Sequence, residues 1–313
     1  MARAKDDLIG SLLERLKPKA KSLIVTVYGD AIAHHGGNAW LGSVIRLVDR
    51  LGLNERVVRT SMFRLAKEGW LVPQSSGRRS DYRLTELGRR RFDAAHDRIY
   101  RYAQRPWDRS WTVVALGVAT LDAEERETLR RDLGWLGFGQ LGNGIMLHPD
   151  PDETALHRLL ADASSPIFAL RGQAAPWVTQ DAFADVVRAC WDIDRLGADY
   201  SHFLDAFRPV WQTLKGASEP DDELCFVVRT LLMHGYRRAI LRDPMLPDEL
   251  MPHDWPGAAA RALCRNLYRQ VEAAAERHVL ATLETAEGPV PEADAAYFRR
   301  FGGLRGASEG GAK

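Results

Sequence analysis

The stretch 40–85 constrains the fold more than any other part of the chain, because two helical patterns and a hairpin pattern follow one another there. Apolar residues recur at helical spacing in Trp40–Arg50 and again in Asn54–Gly69. Gly52 suits the turn between the two helices, and Asn54 is a preferred N-cap residue. Two helices joined by such a short turn predict a helix-turn-helix.

A hairpin with a basic tip follows the second helix directly. Trp70–Pro73 is a short extended run, Ser75–Ser80 is a turn, and Asp81–Thr85 returns as a second strand. A hairpin in this position is called a wing. The sequence therefore predicts a winged helix-turn-helix domain over residues 22–105, including a linker helix that begins at Thr85.

Two further helical patterns flank this motif. Apolar spacing predicts a helix over Ser22–His35, before the motif. After it, Phe92, Ala95, Ile99 and Tyr102 form an apolar stripe on a strongly charged helix. We expect this stripe to be covered either by a sensor domain or by a second subunit.

The formal net charge of +1 hides an uneven distribution along the chain. Residues 1–105 carry 21 Lys and Arg against 11 Asp and Glu, a balance of +10. Residues 106–313 carry 22 against 31, a balance of −9. A basic N-terminal third suggests contact with a polyanion, and the helix-turn-helix pattern makes double-stranded DNA the predicted partner.

Nine residues of the second helix and the wing have side chains suited to DNA contact. They are Asn54, Arg56, Arg59, Thr60, Arg64, Lys67, Arg78, Arg79 and Arg83. Those in the N-terminal half of the helix suit base edges or the backbone, those farther along suit phosphates, and the wing arginines suit an adjacent minor groove. For a single arginine a solvated surface role is the simpler explanation, but the set together favours DNA contact.

The rest of the chain predicts two more domains. Over 106–175 the order strand, helix, strand, strand, helix, strand is typical of a ferredoxin-like, split βαβ domain. Over 176–300 the spacing is helical, apart from a proline-rich loop, and we expect an effector and dimerisation domain. Residues 1–21 are predicted as an N-terminal extension and 301–313 as a disordered tail. The predicted fold class is α+β.

No pattern of catalytic residues accompanies these domains. The sequence contains no G-x-S-x-G, no Walker loop and no H-E-x-x-H. The adjacent His34 and His35 point to different faces of a helix and have no further ligands at metal-binding spacing, so a helix terminus explains them better. We predict a protein that is not an enzyme and needs no cofactor or metal.

The composition also indicates the cellular compartment in which the protein is expected. Cys190, Cys225 and Cys264 are far apart and sit in apolar runs, which favours buried thiols in a reducing environment. No run approaches eighteen apolar residues, and the start of the sequence lacks the features of a secretory signal. We expect a cytoplasmic location and no membrane partner.

Three segments resemble a known family. SLIVTVYGDAI, VVRTSMFRLAKEGWL and YRRAILRDPMLPDELMPHDWPG are similar to the PaaX-type repressors of the phenylacetic acid catabolon, and the resemblance covers roughly Ser22–Leu280. It implies a homodimeric transcriptional repressor that binds a palindromic operator. It also implies release from the operator by an aryl-CoA thioester, typically phenylacetyl-CoA.

The resemblance further implies a middle domain similar to small CRISPR-associated ferredoxin-like endoribonucleases. An RNA-binding or nuclease function is therefore an alternative. In those nucleases an aspartate stands at the end of the first strand, whereas here the strand in WTVVALGVAT ends at Gly117 and Val118. Asp122 follows, but its position favours a helix N-cap. The sequence therefore favours a regulator over a nuclease.

A CoA thioester requires cations for its phosphates and an apolar slot for its acyl group. The candidate effector-binding residues are His234, Tyr236, Arg237, Arg238, Arg242 and Trp255. For any one of the arginines a structural role is the alternative, since cations are favoured at a helix C-terminus. A different aromatic acid, or its thioester, is the alternative effector.

Overall fold

The computed structural model describes residues 2–76, 79–100, 106–215 and 221–304, and these residues form a mixed α and β structure. They group into two compact units. The first unit takes its residues from Met1–Tyr102, Tyr200–Leu241 and Gly257–Lys313, and the second from Ala103–Asp199 and Arg242–Pro256. The mixture of helices and sheets agrees with the predicted α+β class.

The N-terminal part of the first unit contains five helices, a π-helical turn and a three-stranded sheet. In chain order they are α1 (Ala2–Leu16), α2 (Ala20–Val27), the π turn (Tyr28–Ile32), β1 (Asn38–Trp40), α3 (Leu41–Leu47), α4 (Glu55–Lys67), β2 (Leu71–Ser76), β3 (Arg79–Leu84) and α5 (Glu86–Tyr100). The strands pair antiparallel in the order β1-β3-β2. The predicted hairpin therefore lies in a sheet with a third strand, β1, which the sequence analysis did not predict.

Helix α4 begins as its sequence predicts. The side-chain oxygen of Asn54 accepts a hydrogen bond from the Val57 N–H at 3.0 Å and so caps the first turn. Val58 and Met62 are fully buried on the inner face, and Leu65 is nearly so. The predicted N-cap and the predicted buried face are both confirmed.

The predicted helix over Ser22–His35 differs in detail. Helix α2 ends at Val27, and the backbone continues as the π turn before it reaches Gly36 and Gly37, both at positive φ. The bulge turns Tyr28 and Asp30 into the interior, where both are buried. Spacing alone does not distinguish one π turn from the continuation of an α-helix.

The middle part of the chain forms a four-stranded sheet with helices. Its elements are β4 (Ser110–Ala115), α6 (Ala123–Trp135), β5 (Gly139–Gln140), β6 (Ile145–His148), α7 (Glu153–Ala161), β7 (Phe168–Gln173) and α8 (Gln180–Cys190). All neighbouring strands are antiparallel, in the order β5-β6-β4-β7. Asp122 caps α6 in a reciprocal capping box with Glu125, as its position predicts.

Apolar side chains cover both faces of this sheet. Val114 and Met146 pack with Leu133 of α6 in one cluster. Trp111 and Leu147 pack in a second cluster with residues of α8 and of the loop 242–256. The proline-rich loop predicted from the sequence is therefore part of the second unit, and its only helical turn is Asp248–Leu250.

Four helices and a small hairpin complete the described residues. They are α9 (Ile193–Leu214), α10 (Asp222–Ile240), α11 (Gly257–Thr282), β8 (Glu284–Thr285), β9 (Gly288–Pro289) and α12 (Ala295–Phe298). Helix α10 is buried along most of its length because it packs against α1, α2, α5 and α11. The division into units falls within α9, between Asp199 and Tyr200.

The apolar stripe of α5 is covered within the first unit. Phe92, Ala95 and Ile99 face α2 and α10, while Tyr102 lies outside the described residues. None of the helices in the described ranges is long and apolar enough to cross a membrane. Within the same ranges, no group of three His, Cys, Asp or Glu side chains could hold a metal ion.

Candidate nucleic-acid interface

Helix α4 presents a polar and basic face to solvent. The residues assigned to DNA on this helix are all exposed, namely Arg56, Arg59, Thr60, Arg64 and Lys67. Phe63 lies among them with 66% of its surface exposed, which is unusual for a large apolar side chain. An exposed basic face with an aromatic ring at its centre suits a polyanionic surface.

Local contacts determine where these side chains lie in the protein without DNA. Arg59 pairs with Glu55 one turn earlier, with Nη2 and Oε1 2.6 Å apart. The Thr60 hydroxyl donates to the Arg56 carbonyl at 2.8 Å. Arg56 makes no ion pair with any described residue. The guanidinium of Arg56 is thus free to meet a ligand, whereas that of Arg59 must exchange its partner. Asn54 acts by fixing the start of the helix.

The wing arginines have different surroundings. Arg83 is exposed on β3, opposite Asn38 of β1 and Val72 of β2. The Arg79 guanidinium lies 4.4 Å from the centre of the Trp40 ring. Arg78 lies outside the described residues.

A cluster around Trp40 connects the wing to the hairpin β8–β9. Arg46 also lies over the Trp40 ring, at 5.1 Å. Glu284 approaches both cations, with distances of 3.5 Å to Arg46 Nη2 and 3.8 Å to Arg79 Nη1. The buried Asp81 accepts hydrogen bonds from the Asn38 amide and the Ala286 N–H. These contacts hold the half of the wing nearest its tip against the C-terminal hairpin.

No pattern in the sequence had indicated that Trp40, Glu284 and Asp81 position the wing. The acidic Asp81 in an otherwise basic hairpin was the available signal. Glu284 lies some two hundred residues from the wing in sequence, and no local pattern connects them. Their contact comes from tertiary packing within the first unit.

The predicted effector residues are divided between the two units. His234, Tyr236, Arg237 and Arg238 belong to α10 in the first unit, whereas Arg242 and Trp255 belong to the loop in the second. His234 and Tyr236 are buried, Arg237 is partly buried and Arg238 is exposed. Tyr236 packs against the ring of Phe203.

Two hollows contain members of this set. The first, of about 40 Å³, lies between α2, the π turn, α5 and α10, and Arg237 lines it. The second, of about 250 Å³, lies in the second unit, where Arg242 lines it together with Arg195 and Trp191. Arg242 pairs there with Asp199 at 3.4 Å. Trp255 packs in the apolar cluster beneath the sheet.

A buried ionic network borders the first hollow, and its members Asp30 and Tyr100 line that hollow. Asp30 of the π turn meets two buried arginines, with Oδ2 3.0 Å from Arg229 Nε and Oδ1 3.3 Å from Arg300 Nη1. Tyr100 and Tyr268 donate their hydroxyl hydrogens to the same Oδ1. One carboxylate therefore joins the N-terminal segment to α5, α10, α11 and the segment around residue 300.

Glu276 extends this network. Its Oε2 lies 3.2 Å from Arg229 Nη1, and its Oε1 lies 2.8 Å from His35 Nε2. Burial alone would raise the pKa of Glu276, but the His35 hydrogen bond and the Arg229 charge outweigh it and hold the pKa at about 2. The carboxylate is therefore ionised at neutral pH and compensates part of the buried positive charge.

Over 302 residues the chain is 38% identical to the transcriptional repressor PaaX of Escherichia coli (strain K12), and the match covers 96% of this chain and 95% of that protein. The chain belongs to the PaaX family.

Three PaaX family models match successive parts of the chain. The PaaX-like protein model matches residues 19–88, the PaaX protein central Cas2-like domain matches 104–182, and the PaaX-like protein C-terminal domain matches 191–281. PaaX proteins are transcriptional regulators, so the prediction of a regulator rather than an enzyme is confirmed. The expected similarity of the middle domain to a CRISPR-associated protein is confirmed as well.

A solved structure shares the architecture. The uncharacterized protein Rv0674 from Mycobacterium tuberculosis matches with a TM-score of 0.53 and 25% sequence identity. The match covers 82% of this chain and 98% of the mycobacterial chain.

We expect His234 to make the stability of this PaaX family member depend on pH. Burial, aided by the charges of Arg237 and Arg238, lowers the pKa of His234 to about 4, and Nδ1 lies 3.1 Å from the Thr26 hydroxyl oxygen. Because the folded pKa lies below the unfolded value of 6.5, the unfolded chain binds the proton first as the pH falls. We expect His234 to cost up to about 3 kcal/mol of the free energy of unfolding between pH 6.5 and 4.

Urea denaturation at pH 7 and pH 5 measures this loss. His234→Asn places an uncharged amide near Thr26 and should reduce the difference between the two pH values. An unchanged difference in the variant would assign the pH dependence to other groups. His96 is expected to contribute in the same direction, since burial also lowers its pKa to about 4.

Proposed function

We propose that this PaaX family member represses an aromatic, phenylacetate-type catabolic operon by binding its operator through a winged helix-turn-helix. The observation that carries the proposal is the exposed basic face of α4, followed at once by the basic hairpin β2–β3. The described PaaX relative is named as a transcriptional repressor, which supports the same function. The nine predicted residues from Asn54 to Arg83 form the proposed DNA contact surface.

The middle domain is proposed to have the ferredoxin-like fold. Its strand order, with the first strand of the domain, β4, between β6 and β7, supports this arrangement. Together with the proposed domain boundaries at residues 105, 175 and 300, this gives a DNA-binding part, a middle domain and a helical domain. A protein that regulates transcription in this way is expected in the cytoplasm.

The operator is proposed to be an inverted repeat bound by a homodimer. In helix-turn-helix dimers the two recognition helices enter successive major grooves, about 34 Å apart. An aryl-CoA thioester such as phenylacetyl-CoA would favour a dimer geometry with a different spacing, since a ligand shifts an equilibrium only through unequal affinity for its two states. The six predicted residues from His234 to Trp255 are proposed to bind this effector.

Fluorescence anisotropy of a labelled operator tests the proposal. A preformed complex is titrated with phenylacetyl-CoA, free phenylacetate or CoA. We expect the thioester to release the DNA and CoA to have no effect. Release by a different acyl-CoA, without an effect of phenylacetyl-CoA, would contradict the proposed ligand but retain the mechanism. Failure to bind any duplex from the regulated promoter would contradict the proposal as a whole.

Glu284→Gln should strengthen binding to all DNA. The Glu284 carboxylate lies beside Arg46 and Arg79, so it competes with phosphates for both cations. An exposed pair of this kind contributes about 0.2–1 kcal/mol, which corresponds to a gain of about 1.5–5-fold in affinity. Anisotropy with an unrelated duplex at 50 and 200 mM salt measures the gain, which should shrink as salt screens the charges.

Glu287→Gln is the matched control, because Glu287 is an exposed glutamate in the turn of the same hairpin. Equal gains in the two variants would show that only net charge changed. A gain restricted to Glu284→Gln would assign the effect to the Trp40 cluster.

A further inference from the structure

The hollow between α2, the π turn, α5 and α10 is lined by both apolar and polar side chains. Its walls include Val25, Phe92, Ile99 and Met233. Arg237 also lines it, and its Nη2 donates to the Ser22 hydroxyl and carbonyl oxygens. The Asp30 carboxylate lines it as well, but that group is already bound by Arg229, Arg300 and two tyrosine hydroxyls. A fixed cation beside apolar side chains is typical of sites for small organic anions.

Arg237, which is partly buried, differs from the buried Arg229 and Arg300 because it has no ion-pair partner among the described residues. Arg229 and Arg300 share the carboxylate of Asp30, and Arg229 also meets Glu276. No described carboxylate forms an ion pair with Arg237, and its buried Nε has no hydrogen-bond partner among the described residues. Burial lowers the pKa of Arg237, in agreement with the absence of a carboxylate partner among the described residues. A buried charge left in this way favours an anionic or strongly polar ligand.

A second polar atom lies on the same wall. The Nδ1 atom of His96 is buried and has no hydrogen-bond partner among the residues described. Its ring lies between those of His34 and Tyr100, which hold it in place. Arg237 and His96 are therefore two polar groups on the lining of one hollow that still have hydrogen-bonding capacity.

We propose that this hollow, enlarged by displacement of Phe92, binds a small apolar ring or chain carrying a carbonyl or carboxylate oxygen, with the oxygen at Arg237 and the apolar part beside Ile99. The proposal rests on the proposed function for the choice of ligand, since a free aromatic acid and the acyl end of an aryl-CoA share this chemistry. The site places such a ligand in the first unit, apart from the hollow that contains Arg242.

The position of the hollow gives the ligand a route to the DNA-contacting helix. Phe92 lies so close to the π turn that a Cβ atom on Gly29 would come within 2.8 Å of its ring. Helix α2, directly before the π turn, packs against α4. A ligand that displaces Phe92 therefore presses on the π turn and α2, and through them changes the position of α4. The position of α4 would then differ between the liganded and unliganded protein, and release of the operator requires such a difference.

Isothermal titration calorimetry in the absence of DNA tests the site. Phenylacetyl-CoA and free phenylacetate are titrated into the parent chain and three variants. Ala95→Leu fills the hollow, Arg237→Gln removes its charge, and Ala94→Leu adds the same bulk at an exposed neighbouring position on α5. We expect a loss of about tenfold or more for the first two and little change for Ala94→Leu. Thermal melts confirm that each variant is folded.

The possible outcomes distinguish failure of the inferred site from failure of the proposed function. If Ala95→Leu binds both probes as tightly as the parent, or neither probe binds the parent, the inferred site is wrong. If phenylacetyl-CoA releases operator DNA equally from the parent and Ala95→Leu, the repressor function holds and the site fails. If only free phenylacetate binds, and Ala95→Leu abolishes this, the site holds and the thioester effector fails.

Discussion

Replacing Asp30 with asparagine should lower the free energy of unfolding by about 3–5 kcal/mol, the cost of removing one partner from a buried ion pair. The carboxylate is the shared partner of Arg229 and Arg300, which are fully or almost fully buried. Asparagine keeps the size of the side chain but leaves both guanidinium groups without this charge. Guanidinium chloride denaturation of the full chain at pH 7 measures the loss.

Asp222→Asn is the control for this variant. Asp222 pairs with Arg277 at 2.6 Å in the same unit, but its side chain is 40% exposed. An exposed pair contributes at most about 1 kcal/mol, so its loss should be small. A loss below about 1 kcal/mol for Asp30→Asn would show that water or a neighbouring group compensates the arginines.

The double variant Asp30→Asn/Arg229→Met separates charge compensation from packing. Methionine removes one of the two charges that Asp30 compensates, so the double variant should lose less stability than the sum of the two single variants. The coupling energy for contacting charged residues is about 0.5–3 kcal/mol. Additive losses would contradict a direct electrostatic interaction between the two side chains.

The features predicted correctly from the sequence are those fixed by neighbours in the chain. Asn54 caps α4 and Asp122 caps α6 because each oxygen accepts from an N–H three residues later. Val58 and Met62 are buried because their spacing matches the helical period. The exposed basic face of α4 follows from the same period. Local geometry decides all these features, so one sequence suffices for them.

The features that were not predicted depend on distant parts of the chain. Strand β1 has only three residues and exists because Ala39 pairs with Tyr82 of β3. The hairpin β8–β9 approaches the wing through the bond from the Ala286 N–H to Asp81. The hollow near Arg237 needs α2, α5 and α10 to meet. Such pairings depend on the fold as a whole and have no signature in spacing or composition.

The second large effect is expected for a substitution in the proposed DNA contact surface. Arg56→Ala should weaken operator binding by about 1–3 kcal/mol, roughly 5–150-fold, and relax the preference for bases at one position of each half-site. Its guanidinium is exposed and has no ionic partner among the described residues, so its loss should leave the fold unchanged. Anisotropy with the operator and with single-base operator variants measures both effects.

Arg59→Ala should produce a comparable loss, reduced by the energy needed to separate Arg59 from Glu55 in the free protein. Arg64→Ala should act differently, because a phosphate contact carries no sequence information. It should weaken specific and unrelated DNA alike and reduce the slope of log K against log salt by about 1.

Arg90→Ala is the matched control for these variants. Arg90 is exposed on α5 and pairs with Glu86 one turn earlier, as Arg59 does with Glu55. It carries the same charge but lies outside the proposed contact surface. If Arg90→Ala weakened operator binding as much as Arg56→Ala, net charge would explain the affinity. A selective loss in Arg56→Ala and Arg59→Ala would instead identify the N-terminal half of α4 as the part that reads the operator.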